Sequence, residues 1–130
     1  MTVGVIDAGI AIGWIRRGRR SQERLDRLYA ACREGEVTLV MSAVNVAEVL
    51  LHTEEVARRS GVDPVSFLKA VGVRVHAPDE GIARRVAKLS TSLADGFAAA
   101  TAQELGARLH TTDGELVRQL RGARLAMTHY

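Results

Sequence analysis

Apolar positions along this chain alternate between short continuous runs and a three-to-four residue spacing, the two signatures of buried strands and amphipathic helices. Thr2 to Ile6 (TVGVI) is a β-branched run that stops at Asp7, and Ile10, Trp14 and Ile15 then recur near helical spacing. The pattern predicts a strand feeding a helix. Leu25, Leu28, Tyr29 and Cys32 mark a second helix, closing near Gly35. Glu36 to Ser42 (EVTLVMS) reads as a buried strand, and Val46, Val49, Leu50 and Ala57 as the stripe of one long helix. Asp63-Pro64 is a start signal before Phe67, Leu68 and Val71, and Asp79 is another before Ile82, Ala83, Val86 and Leu89. Val73 to Ala77, between these two helices, is a strand. Ser92 opens a small-residue helix that ends at Gly106; Arg108 to Thr111 is a strand, Asp113 to Leu120 a helix, and Ala123 to Met127 a final strand.

Strands that alternate with helices at this spacing predict an α/β fold with three layers, α/β/α, around a central parallel sheet of about four or five strands. The chain has 130 residues, no repeat and no low-complexity segment, which fits a single domain over 1–130 with one core. In such sheets ligands sit beyond the carboxyl ends of the strands. That edge is where the chemistry should lie.

No apolar run approaches the roughly 20 residues of a membrane helix, and the start of the chain lacks the pattern of a secretory signal, so a soluble cytoplasmic protein is expected. Cys32 is the only cysteine, which excludes an intrachain disulfide or a cysteine-based zinc cage, and its place on a helical stripe marks a core thiol. The net charge of +3 rests on arginine, with Lys69 and Lys88 the only lysines. Arg16, Arg17, Arg19 and Arg20 follow the first helix and are candidate phosphate contacts, although a solvated basic surface accounts for them equally well. Aromatic residues are few, so recognition of a nucleic acid would depend on shape more than on base stacking.

The acidic residues near the predicted strand ends each have a plain explanation as helix caps. Asp7 precedes the first helix; Asn45 with Glu48, Ser92 with Asp95, and Thr112 with Glu115 beside Asp113 all fit the spacing of a capping box. Jointly they say more. A parallel sheet places Asp7, Glu48 and Asp113 near strand ends on one edge, with Asp95 on a first helical turn able to face them. Four carboxylates in one cleft repel unless a cation sits among them, and hard oxygen ligands without cysteine suit Mg²⁺ or Mn²⁺. Ala98, Ala99 and Ala102 share the side of Asp95 on its helix and would let that helix approach the sheet closely.

The segments VGVIDAGIAI (Val3 to Ile12), SAVNVAEVLL (Ser42 to Leu51) and LSTSLADGFAAATAQELGARLHTTDGEL (Leu89 to Leu116) give the chain a resemblance to the PIN-domain ribonucleases, in particular to the VapC toxins of bacterial toxin–antitoxin pairs. The resemblance covers nearly the whole chain. It implies an acidic site of Asp7, Glu48, Asp95 and Asp113, of which Asp7, Asp95 and Asp113 hold Mg²⁺ or Mn²⁺ and Glu48 is a direct or water-mediated ligand. It further implies that Thr111 orients a carboxylate or a metal-bound water, with Thr112 placed for capping. One position departs: the family commonly carries Ser, Thr or Asn two residues after the first aspartate, and this chain has Gly9.

The activity so implied is metal-dependent endonucleolytic hydrolysis of RNA phosphodiester bonds, leaving a 5′-phosphate and a 3′-hydroxyl. The partners implied are an RNA substrate, a small VapB-like antitoxin whose tail blocks the cleft, and a second copy of the chain in a homodimer. Two rivals stand beside this reading. One is a non-catalytic RNA- or protein-binding module on the same fold, for which Gly9 is the hint. The other is an aspartate-dependent phosphoryl-transfer protein, disfavoured because Ala8-Gly9 follow Asp7 where a phosphatase has a second aspartate, and because Lys69 and Lys88 fall on predicted helices. No histidine is assigned as a base: His52, one turn after Glu48, reads as a helical side chain at the surface, and His110 as a strand side chain.

Overall fold

A computed structural model describes residues 2–16 and 22–130; Arg17, Arg19 and Arg20 lie outside the described residues. The chain runs β1 (Thr2–Ile6), α1 (Ala8–Arg16), α2 (Glu23–Arg33), β2 (Val37–Ser42), α3 (Ala43–His52), α4 (Glu54–Ser60), α5 (Pro64–Val71), β3 (Arg74–His76), α6 (Glu80–Ala87), α7 (Leu93–Leu105), β4 (Arg108–Thr111), α8 (Gly114–Gln119) and β5 (Met127–His129). The five strands form one parallel sheet in the order β3-β2-β1-β4-β5. Among the described residues no helix is long and apolar enough to cross a membrane.

Successive side chains of a strand point to opposite faces, and here both faces are buried. On one, Ile6, Leu39 and Met41 pack with Ile10 and Trp14 of α1, Leu25 and Leu28 of α2, Val49 of α3 and Leu68 of α5. On the other, Val5, Val40 and Leu109 meet Ala98, Ala99 and Ala102 of α7 and Leu116 of α8. These three alanines are fully buried, so the small-residue stripe does bring α7 down onto the sheet. Cys32 is buried in the first face, its thiol directed at the Val71 carbonyl at 3.6 Å.

Three boundaries differ from the sequence pattern. The stripe from Val46 to Ala57 is two helices, α3 and α4, broken at buried Thr53, whose hydroxyl and N–H both donate to the Val49 carbonyl (2.6 and 3.0 Å). A hydroxyl that folds back on its own helix competes with the helical ladder. The last strand is Met127–His129 rather than Ala123 to Met127, because Ala123 and Leu125 meet the core from a turn held by the Ala123 N–H on the Leu120 carbonyl. Their apolar character thus reflects packing without sheet pairing. Leu89 falls just after α6, also as a core contact.

Gly4 is the tight point of the sheet centre. A Cβ there would lie 2.7 Å from His110 Nε2 and 3.1 Å from Leu39 Cδ2, and the His110 ring is pinned from the other side by the Tyr130 hydroxyl at 2.7 Å. Overpacking of this kind costs on the order of 1–3 kcal/mol. Gly4→Ala should therefore lower the urea midpoint accordingly, whereas an unchanged midpoint would show that the His110 ring yields freely.

Candidate active site

The parallel register sets the site. Ile6 of β1 stands opposite His110 of β4, so the residues that leave these strands, Asp7 and Thr111, emerge side by side at the carboxyl edge. The Asp7 N–H continues the ladder to the His110 carbonyl at 3.2 Å, and its carboxyl group is buried at 4% exposure. Asp7 Oδ1 accepts the Ile10 N–H at 3.1 Å, as an N-cap would, while Oδ2 accepts the Thr111 hydroxyl. Thr111 Oγ1 in turn accepts the Asp113 N–H at 2.9 Å. One hydroxyl therefore links the loop after β1 to the loop after β4.

Burial pushes the Asp7 carboxyl up to about 6; the hydrogen bonds from Thr111 and Ile10 pull down, and the charges of Asp95 and Asp113 push up. The negative charges of Asp95 and Asp113 therefore bear on Asp7. Asp113 caps α8, its Oδ1 accepting the Glu115 and Leu116 N–H groups at 2.9 and 3.3 Å. The cap expected at Thr112 is thus made by the residue after it, because the carboxylate one residue closer to the helix reaches both amides. Asp95, half-buried on the first turn of α7, has its N–H on the Ser92 hydroxyl at 3.4 Å, the capping geometry expected there.

Glu48 comes from α3. The helix is capped by Ser42, whose hydroxyl accepts the Val44 N–H at 3.3 Å, and not by Asn45, which lies inside the helix and is fully buried. Asn45 Nδ2 donates to Glu48 Oε1 and to the Ala94 carbonyl, both at 3.0 Å, which ties α3 to the start of α7. Its buried Oδ1 has no partner among the described residues. An unpaired buried acceptor costs about 1–3 kcal/mol.

The donor set is all oxygen, one member is a buried carboxyl with two anionic neighbours, and among the described residues no lysine or arginine pairs with it. This chemistry fits a hard divalent cation. As the side chains stand, no three His, Cys, Asp or Glu groups among the described residues are close enough together to hold an ion. Asp95 and Asp113 act on Asp7 through their charge, and Asn45 links Glu48 to the start of α7.

Other candidates fall elsewhere. Arg16 ends α1, a nine-residue helix that starts beside Asp7, and its guanidinium donates to the His52 carbonyl. His52 is exposed. His110 is buried, its ring lowered to about 4 by burial and by Arg108, and hydrogen-bonded to Tyr130. It is a neutral structural group near pH 7. Sequence reasoning missed a second set at the same edge: Thr112 and Tyr130 line a cavity with Gln22, Glu23, Arg24 and Leu25, the Arg24 guanidinium sits 4.9 Å over the Tyr130 ring, and the His129 ring lies against Gly114. His129 and Tyr130 follow the predicted last strand, and that position was the available signal. The misplaced boundary of that strand hid it.

Asp7 and His110 give opposed pH terms. A carboxyl raised to about 6 contributes stability that is fully present below its unfolded pKa, roughly 3.9, and is lost as pH rises through 6. A histidine lowered to about 4 contributes stability present above roughly 6.5 and lost as pH falls through 4. In the wild-type protein the two cancel between pH 4 and 6. In chelator-containing buffer, Asp7→Asn should therefore gain stability relative to wild type across this window, with a slope approaching about 1.4 kcal/mol per pH unit. Parallel urea-denaturation profiles for the two proteins would refute the assignment.

The profile of the PIN domain matches residues 4–121. Among solved structures, a toxin–antitoxin complex from Klebsiella pneumoniae aligns with a TM-score of 0.69 at 18% identity, covering 98% of each chain. VapBC2 from Rickettsia felis, bound to a DNA fragment from its promoter, aligns with a TM-score of 0.71 at 14% identity, covering 99% of each chain. VapC20 of Mycobacterium tuberculosis, described as a Sarcin–Ricin loop cleaving toxin, aligns with a TM-score of 0.67 at 14% identity over 90% of this chain and 94% of its own. No curated protein sequence matches. At these identities the structural likeness is one of fold, while the family profile spans both Asp7 and Asp113, most of β1 and all of β2, β3 and β4. By that match, the chain belongs to the PIN domain family.

Proposed function

We propose that this protein is a Mg²⁺- or Mn²⁺-dependent endoribonuclease, the toxin of a type II toxin–antitoxin pair. The observation that carries the reading is the buried Asp7 carboxyl, held by Thr111 at the edge of the sheet with the charges of Asp95 and Asp113 bearing on it. An acid buried among acids without a paired base is destabilised in its charged form, and perturbed carboxyls gather where there is chemistry.

Asp7, Asp95 and Asp113 are the residues that would hold the cation, with Glu48 as a further direct or water-mediated ligand. When bound, such a cation polarises a phosphodiester and lowers the pKa of an attacking water. The chain's own part is to keep these oxygens ionised and aimed. Thr111 donates to Asp7 and receives the Asp113 N–H, so both carboxylates are oriented from one atom. The starts of α1 and α8 add partial positive charge at Asp7 and Asp113, which favours the anionic forms and a phosphate oxygen nearby. One structural neighbour, a Sarcin–Ricin loop cleaving toxin, supports RNA as substrate class, and the complexes with antitoxins support a small protein inhibitor for this chain. A homodimer and phosphate contacts by Arg16, Arg17, Arg19 and Arg20 belong to the same proposal; Arg16 would have to leave the His52 carbonyl to make one.

The test is incubation of the purified protein, freed of any antitoxin, with a pool of structured RNAs in Mg²⁺, Mn²⁺ or chelator. Cleavage should require the metal, and Asp95→Asn should reduce it on the order of a hundredfold or more while the fold survives. Equal cleavage by wild type and by an Asp7→Asn/Asp95→Asn double variant would reject the site. Binding linkage supplies a second expectation: at a hundred times Kd the cation stabilises by about 2.7 kcal/mol, a rise in Tm on the order of 10 °C for a domain of this size. An equal rise in Asp7→Asn/Asp113→Asn would place the ion elsewhere.

A further inference from the structure

Among the described residues, Asn45 is the one polar side chain that joins the two helices carrying Glu48 and Asp95. It is fully buried, and its single amide nitrogen donates to Glu48 Oε1 and to the carbonyl of Ala94, the residue before Asp95, both at 3.0 Å. Both partners are acceptors. The amide therefore has one allowed orientation, since turning it over would set Oδ1 against a carboxylate and a carbonyl. That orientation is kept even though it leaves the buried Oδ1 with no partner among the described residues. The two donated bonds, one of them to a charged group, outweigh the unsatisfied oxygen.

The consequence is geometric. Glu48 and Asp95 sit on different helices, 47 positions apart in sequence, and a single amide sets where one carboxylate lies relative to the first turn that carries the other. We propose that Asn45 is a positioning residue of the acidic site, acting through Glu48 on cation binding. It touches neither substrate nor cation. This inference rests on the metal-site reading given above. A group that orients a ligand typically changes metal affinity by 10–100-fold when removed, which separates it from a residue that merely pins two helices together.

The experiment is titration of Mn²⁺, followed by the loss of free-ion paramagnetic signal, on wild type, Asn45→Ala, Glu48→Ala and the double variant, with Tm in chelator measured for each. Asn45→Ala should weaken Mn²⁺ about 10–100-fold, and in the Glu48→Ala background the same change should have little further effect. Asn45→Asp keeps the shape but turns both donated bonds into repulsions, so it too should weaken Mn²⁺ although it adds a carboxylate; it also supplies the cycle should Asn45→Ala not fold. Additive losses in the double variant, a lower Tm in chelator with unchanged Mn²⁺ affinity, or tighter binding by Asn45→Asp would each overturn the inference while leaving the metal site standing. No Mn²⁺ binding by wild type would overturn the metal-site reading, and this inference with it.

Discussion

The hydroxyl of Thr111 sits where three demands meet: it donates to the buried Asp7 carboxyl, accepts the Asp113 N–H, and belongs to the last residue of β4. Its place follows from the register of β1 and β4, which sets Ile6 beside His110 and so the next residues beside each other. Desolvation raises Asp7 more than any other cause, and the Thr111 bond is the largest effect opposing it. Without that bond Asp7 would hold its proton more tightly and be a poorer oxygen donor. The apolar core serves the same end. It holds β1 and β4 at ladder distance between α7 and α1, so the donor and acceptor meet without either side chain having to search.

Capping uses only part of what each carboxylate can accept. Asp113 spends Oδ1 on two α8 amides, and Oδ2 carries no hydrogen bond among the described residues. Asp7 uses Oδ1 on α1 and Oδ2 on Thr111, each oxygen retaining a second lone pair. A cap fixes the carboxylate's direction and favours its charged state through the helix terminus. The capping geometry is thus the means by which a short loop presents a carboxylate at a defined angle.

Most of the frame was legible in the sequence because each strand is a local apolar run and each helix a local stripe. Asp63, Asp79 and Ser92 start helices as their spacing predicts, and Gly106 ends one in the left-handed region at φ +59°. What failed was local in appearance and tertiary in cause. Thr53 breaks a continuous stripe through a bond to its own helix, and Ala123 and Leu125 are apolar for the core and not for a ladder. The site follows the same division. Asp7, Asp95 and Asp113 stand out because each follows a strand or opens a helix; Asn45 looked like a cap, since nothing in the sequence says that Ala94 lies across from it.

Gly9 shows why a position cannot be read apart from its neighbours in space. Counted along the chain, it removes the side chain that a hydroxyl two residues after Asp7 would occupy. In the structure a Cβ at Gly9 would lie 2.1 Å from Thr112 Oγ1 and 3.4 Å from Asp7 Oδ1. The volume next to the carboxylate is therefore not empty: a threonine hydroxyl from the loop after β4 reaches into it across the backbone of α1, and only glycine lets it in. A side chain at position 9 would turn Thr112 away, so the two residues share one place and the presence of one hydroxyl there excludes the other. Read in one dimension, Gly9 hints at a degraded site. Read in three, a hydroxyl still occupies the space at position 9, supplied by Thr112 from the loop that follows Thr111.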